Sequence, residues 1–183
     1  MKKVSLPLSI ALILAIAWAC KTPILTSIKD DALYKSLSAT RLQLPNQWHL
    51  TPAGTALPLG DLPLNMVVSA SQKMLAVTNN GVGKQTIQLF STEGGIKLLN
   101  ETVIAKSWYG LAFSQDEKRI YASGGNDNTV VVFNIVNQKL QQDTVIRLGL
   151  PWSKNKICPT GIALDDATNR LFTATKEDSA LYV

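Results

Sequence analysis

The chain has 183 residues, 46% of them hydrophobic and 17% charged, a balance that belongs to globular proteins and excludes a disordered one. Its 18 Lys and Arg against 13 Asp and Glu give a net charge of +5; removing Lys2 and Lys3 with an export segment leaves 16 against 13, or +3. The basic residues are scattered, with no run of five or six and no stripe, so the footprint of a nucleic-acid backbone binder is missing.

Residues 1–19 read as a signal peptide. Lys2 and Lys3 form a positive start, Val4 to Ala17 is almost unbroken apolar sequence, and Ala19 is a small residue at a cleavage point. The apolar run is shorter than the roughly 20 residues a membrane-spanning helix needs. Cys20 follows directly, and Ile16-Ala17-Trp18-Ala19-Cys20 resembles a bacterial lipobox, with Ala17 and the bulky Trp18 departing from its usual pattern. The alternatives are an ordinary signal peptide with an incidental cysteine, or a lipid anchor at Cys20 that holds the mature protein to the membrane of the bacterial cell envelope, in the periplasm or at the outer membrane. An anchor of this kind needs more than one acyl chain to hold firmly. Residues 20–41 have the mixed polar composition of a tether.

From residue 42 the pattern is of strands. Leu42 to Leu50 reads as a short strand, a turn at Pro45-Asn46 and a second extended piece. One register then recurs three times: Leu64-Asn65-Met66-Val67-Val68-Ser69, Tyr109-Gly110-Leu111-Ala112-Phe113-Ser114 and Thr160-Gly161-Ile162-Ala163-Leu164-Asp165. The spacing is 45 residues from Asn65 to Gly110 and 51 from Gly110 to Gly161, the period of a β-propeller blade.

In the first unit, strands are expected at 65–69, 74–78 and 86–90, with an outer strand at 101–104. The second unit places them at 111–114, 120–123 and 129–133, with an outer strand at 143–148. The third has 161–164 and 171–174, with a third strand beginning at Ala180. The extra length between the second and third units falls in the loop 149–156, where insertions gather on a binding face. A β-sandwich is the rival arrangement, but it needs no internal repeat. The expectation is an all-β fold: a partial β-propeller over 42–183, about two and a half four-stranded blades at about 62–104, 107–150 and 157–183, the last truncated.

Chemistry is sparse along the chain. His49 is the sole histidine and lies outside the repeats, so a catalytic triad or a histidine metal site would rest on one residue. Asn126-Asp127-Asn128 lacks the spaced carboxylates and final Glu of a calcium loop and reads as an inter-strand turn. Asp165-Asp166 sits where the other units have turn residues, and Gly81-Val82-Gly83-Lys84 lacks the strand-to-helix context of a phosphate loop. Cys158 is expected as a buried, unpaired thiol. No catalytic residue, metal site or cofactor is assigned.

These residues resemble a known family. The stretches Leu44-Pro45-Asn46, Pro58-Leu59-Gly60-Asp61-Leu62-Pro63-Leu64-Asn65, Leu75-Ala76-Val77-Thr78-Asn79-Asn80-Gly81, Lys106-Ser107-Trp108-Tyr109-Gly110 and Tyr121-Ala122-Ser123-Gly124-Gly125-Asn126-Asp127-Asn128 resemble the YncE-like, YVTN-type propeller. The chain is most similar to the propeller half of exported bacterial proteins in which that propeller precedes an alkaline-phosphatase-superfamily phosphoesterase domain. The resemblance implies a longer protein with further blades and a catalytic domain beyond this chain, which then reads as an N-terminal fragment.

One departure is the turn Ser69-Ala70-Ser71-Gln72-Lys73, which stands where Ser-Pro-Asp-Gly-Lys is usual and predicts a looser hairpin. A non-catalytic scaffold or recognition module is the function expected, with a phosphoesterase or a propeller lactonase as alternatives. A propeller presents the starts of its innermost strands at one mouth of the channel, which makes Asn65, Trp108, Tyr109 and Thr160 the candidate contacts for a protein or small-molecule ligand. Trp152, in the long loop, is the candidate surface anchor.

Overall fold

The computed structural model describes residues 41–183 apart from 52, 53 and 55, together with 35 and 39. The signal segment 1–19, Cys20 and nearly all of the 20–41 tether lie outside the described residues. Contacts divide the chain into two units, 1–57 and 58–183. In the first, β1 (Leu42–Gln43) pairs antiparallel with β2 (His49–Leu50) across the expected Pro45-Asn46 turn. The Leu44 N–H donates to the Trp48 carbonyl (2.7 Å), and Asn46 Oδ1 accepts from the Trp48 N–H (3.1 Å).

The second unit holds three antiparallel meanders. The first joins β3 (Pro63–Val68), β4 (Met74–Asn79), β5 (Thr86–Ser91) and β6 (Lys97–Val103) in sequential order. The second joins β7 (Leu111–Phe113), β8 (Arg119–Ser123), β9 (Thr129–Val136) and β10 (Lys139–Arg147) in the same way. The third has β11 (Pro159–Asp165), β12 (Arg170–Thr175) and β13 (Leu181–Tyr182). The fold is all-β, a partial propeller of two four-stranded blades and a three-stranded one.

The outer strands are longer than the sequence suggests. β10 begins at Lys139 because Asn137 and Gln138 both take positive φ, 52° and 63°, and close a two-residue hairpin directly onto β9. That left-handed pair matches the twist of the flanking strands, but Gln at its second position hides it from a search for Asn-Gly. In the first blade Gly94 and Gly95, with φ of 65° and 105°, turn the chain so that β6 begins at Lys97.

Period-two alternation sends Ile87 and Leu89 of β5, Ile120 and Ala122 of β8, and Val131 and Phe133 of β9 to one buried cluster. Ala76, Ile104, Leu111 and Leu140 complete it. The core is therefore the seam between the first two blades, and Ile87, Leu89, Ile120 and Phe133 have no exposed surface. Polar side chains tie the same seam at its edges. Asn65 Nδ2 donates to the Tyr109 carbonyl (2.7 Å), and Asn100 Oδ1 accepts from the Leu140 N–H (2.9 Å). The second and third blades approach so closely that a Cβ on Gly110 would lie 2.8 Å from the Thr160 carbonyl oxygen and from Ile162 Cγ1. Glycine is required there by contact with backbone, which cannot swing aside.

The hairpin expected to be loose is not. The Ser69 N–H donates to the Met74 carbonyl (2.9 Å) and the Gln72 N–H to the Ser69 carbonyl (2.9 Å). In the second blade Ser114 and Glu117 make the same bonds at 3.0 Å. Gln72 and Glu117 both occupy the left-handed position, at φ of 61° and 58°, so the turn is completed without glycine.

Carboxylates also fasten each hairpin to the one before it. Glu117 accepts from the Ser71 N–H and from Ser71 Oγ (2.8 Å), and Asp166 accepts from the Gln115 N–H (2.7 Å). The two bonds from Ser71 hold the Glu117 carboxyl below the usual range, so it is ionised at neutral pH. Asp165 takes the Thr168 hydroxyl (2.5 Å) within its own turn instead. The adjacent carboxylates of Asp165 and Asp166 thus serve two separate structural bonds.

Candidate functional site

Opposite these hairpins, the chain crosses from the outer strand of one blade to the innermost strand of the next. A side-chain amide spans each crossing. Gln85, just before β5, accepts the Ile104 N–H on its carbonyl (3.0 Å) and the Ser107 N–H on Oε1 (2.5 Å). Asn128, in the same place before β9, accepts the Leu148 N–H on its carbonyl (2.9 Å) and the N–H groups of Cys158 (2.9 Å) and Ile157 (3.3 Å) on Oδ1. Its Nδ2 donates to the carbonyls of Leu150 (2.6 Å) and Asn155 (2.9 Å).

Asn128 is fully buried and takes the left-handed φ of 55°, which Asn tolerates better than most residues. The segment expected to be a turn, Asn126-Asp127-Asn128, begins within a single 3-10 turn over Gly125–Asp127 and ends on Asn128, whose side chain points inward. The long loop is anchored over that turn, where the Trp152 N–H donates to the Asn126 carbonyl (3.0 Å).

Together the crossings enclose a cleft of about 490 Å³. Lys106, Ser107 and Trp108 enter it from the first crossing, Trp152 and Cys158 from the second, and Lys176 and Glu177 from the loop after β12. Asn80, Gln85 and Asn126 complete the wall. The Lys176 ammonium lies 5.8 Å from the centre of the Trp108 ring and 2.9 Å from a Glu177 oxygen. Lys156 stands 5.6 Å from the Trp152 ring. Pairing with Glu177 raises the Lys176 pKa above its ordinary value, so it stays charged. Burial pushes the Cys158 thiol up, which keeps it protonated and a poor nucleophile at neutral pH.

Of the residues expected at the channel mouth, Trp108 lines the cleft and Trp152 joins it from the loop. Asn65, Tyr109 and Thr160 are not in its wall. The Asn65 amide is spent on the Tyr109 carbonyl, the Tyr109 side chain is half exposed, and the Thr160 hydroxyl donates to the Cys158 carbonyl (3.1 Å). His49 lies on β2, in the first unit. Lys106, Ser107, Lys176 and Glu177 were not anticipated. The one signal for them is register, since each lies where the chain enters or leaves a blade. Among the described residues no group of three or more His, Cys, Asp or Glu is placed to hold a metal ion.

No family model and no curated protein matches the sequence. Among solved structures, the chain is similar to a Bacteroides fragilis protein assigned as a 6-phosphogluconolactonase, with a TM-score of 0.50 and 20% identity. The match covers 67% of this chain and 38% of that one, so the chain spans about two fifths of its neighbour's length. At this identity the likeness concerns the fold.

Proposed function

We propose that this chain is the recognition module of a larger exported protein, binding its ligand in the cleft beside Trp108 and Trp152 without transforming it. The observation that carries the reading is the state of the ionisable groups in that cleft. Its carboxylate, Glu177, is ion-paired at 2.9 Å, and its thiol is held protonated by burial. Among the described residues the wall holds no second carboxylate and no histidine to complete an acid–base pair with Glu177, while the indoles and ammonium groups suit binding. The structural neighbour's assignment favours a second reading, a propeller lactonase. Incubated with δ-gluconolactone, the full chain is expected to leave ring opening at the rate of buffer alone. Acceleration abolished by Glu177→Gln would establish catalysis instead.

The lipobox-like sequence supports a cell-envelope lipoprotein anchored through Cys20. Intact-mass analysis of membrane fractions is expected to find a diacylated or triacylated chain beginning at Cys20, and a soluble unmodified product would contradict the anchor. The similarity to exported two-domain proteins supports a phosphoesterase domain outside residues 1–183. Phosphodiester and phosphomonoester hydrolysis by the full gene product, absent from residues 1–183 alone, is the expected pattern; hydrolysis by neither removes that reading.

A further inference from the structure

Residues 61 and 62 run beside the loop that follows β4 on the cleft side of the first blade. Three successive amides of that loop are spent on them. The Asn80 N–H donates to the Leu62 carbonyl (3.0 Å), the Gly81 N–H to the Asp61 carbonyl (2.9 Å), and the Val82 N–H to Asp61 Oδ2 (2.8 Å). The last bond holds the Asp61 carboxyl in the space beside Gly81, where an added Cβ would overlap it. A side chain at 81 would have to displace that carboxyl and break its bond, so the fold calls for glycine after Asn80. Asn80-Gly81 is the one Asn-Gly pair in the sequence.

The pair carries a chemistry of its own. Asparagine is a thermolabile residue, and a following glycine, with no Cβ, leaves its nitrogen unhindered and its backbone free to turn. The Gly81 nitrogen gives up its proton and attacks Asn80 Cγ; a C–N bond forms and ammonia leaves. Water then opens the succinimide ring to aspartate or isoaspartate. Among the described residues the Asn80 side-chain amide makes no hydrogen bond, and the residue is half-buried in the cleft wall, so the electrophile is open. The nucleophile is closed, because the Gly81 N–H must leave the Asp61 carbonyl before its nitrogen can turn toward Cγ.

We propose that Asn80 is a deamidation site guarded by Asp61, and that its conversion places a new negative charge in the cleft wall. The loop need only part from residues 61 and 62, a local opening that costs less than unfolding. The charged groups of the wall are Lys106, Lys176 and Glu177, with Lys156 over the Trp152 ring. Aspartate at 80 adds a second carboxylate to them, and isoaspartate also inserts a methylene into the main chain directly after β4. The proposal goes beyond the recognition reading and does not depend on it.

The test is peptide mapping by mass spectrometry of the full chain aged in mildly alkaline buffer, folded and in urea, for the parent, Asp61→Ala and Asp61→Asn. In urea Asn80 is expected to be the fastest-modified asparagine. In the folded parent it is expected to react at least about tenfold more slowly, and Asp61→Ala is expected to return about tenfold of that rate, the factor of one hydrogen bond to a charged acceptor. Asp61→Asn keeps a side-chain oxygen for the Val82 N–H and is expected to stay within a few-fold of the parent. Hydrogen exchange separates loss of the guard from loss of the fold: in Asp61→Ala it is expected to quicken at 80–82 and to stay unchanged in β5 and β9. Equal Asn80 rates in the folded chain and in urea, a rate unchanged in Asp61→Ala, or acceleration shared by every asparagine of that variant would each overturn the proposal. None of these results touches the recognition reading, which fails on turnover of the lactone.

Discussion

Replacing Asn128 with alanine is expected to destabilise the protein by about 3–5 kcal/mol and to lower its melting temperature by about 10 °C, read by thermal and urea denaturation. The side chain makes four hydrogen bonds, two given and two received, to backbone groups of the second crossing. Alanine leaves the buried N–H groups of Ile157 and Cys158 and the carbonyls of Leu150 and Asn155 to find water or go unpaired. It also sits poorly at a φ of 55°. Asn128→Gly separates the two causes, since glycine accepts that backbone but restores no bond. It is expected to recover only about 1 kcal/mol of the loss. If glycine restored full stability, backbone conformation rather than the amide network would hold the crossing. Both variants should also weaken the cleft, because Cys158 and Trp152 are placed by the loop that Asn128 pins.

Phe133→Ala is expected to cost a similar amount, about 3–5 kcal/mol. Phe133 has no exposed surface and lies in the cluster shared by the first two blades. Its removal leaves a cavity bounded by strands paired on both sides, which cannot collapse far to fill it. The loss should appear as a lower urea midpoint with an unchanged slope. A change under about 1 kcal/mol would mean that the blades do not pack through this seam.

Much of the architecture was legible in the chain because a propeller writes its register repeatedly. Asn65, Gly110 and Gly161 mark the same place in three innermost strands, and the turns at 69–74, 114–119 and 165–170 follow at the same distance. What escaped was local. The Asn137-Gln138 hairpin carries no glycine, and Gln72 takes a left-handed conformation that its side chain does not advertise. Glu117, which reads as an ordinary turn residue, fastens one hairpin to its neighbour because the fold brings Ser71 beside it.

The site was harder to see for the same reason. Trp108 and Trp152 stand out singly as aromatic residues near loops, but Lys106, Ser107 and Lys176 have no local pattern that joins them. Their juxtaposition exists only once two crossings and the loop after β12 are stacked side by side. Asn65, Tyr109 and Thr160 shared the right register, yet the first is consumed by an inter-blade bond and the others lie outside the cleft wall.

The cleft depends most directly on the crossing that the Asn128 amide holds. Hydrogen exchange of the Asn128→Ala chain, compared with the parent, should be faster at 125–128 and 148–158, the crossing that the amide pins. The hairpins at 69–74, 114–119 and 165–170, on the opposite side of the blades, should be unchanged. Faster exchange spread equally to those hairpins, or exchange unaltered everywhere, would contradict the role of the Asn128 network in holding the cleft.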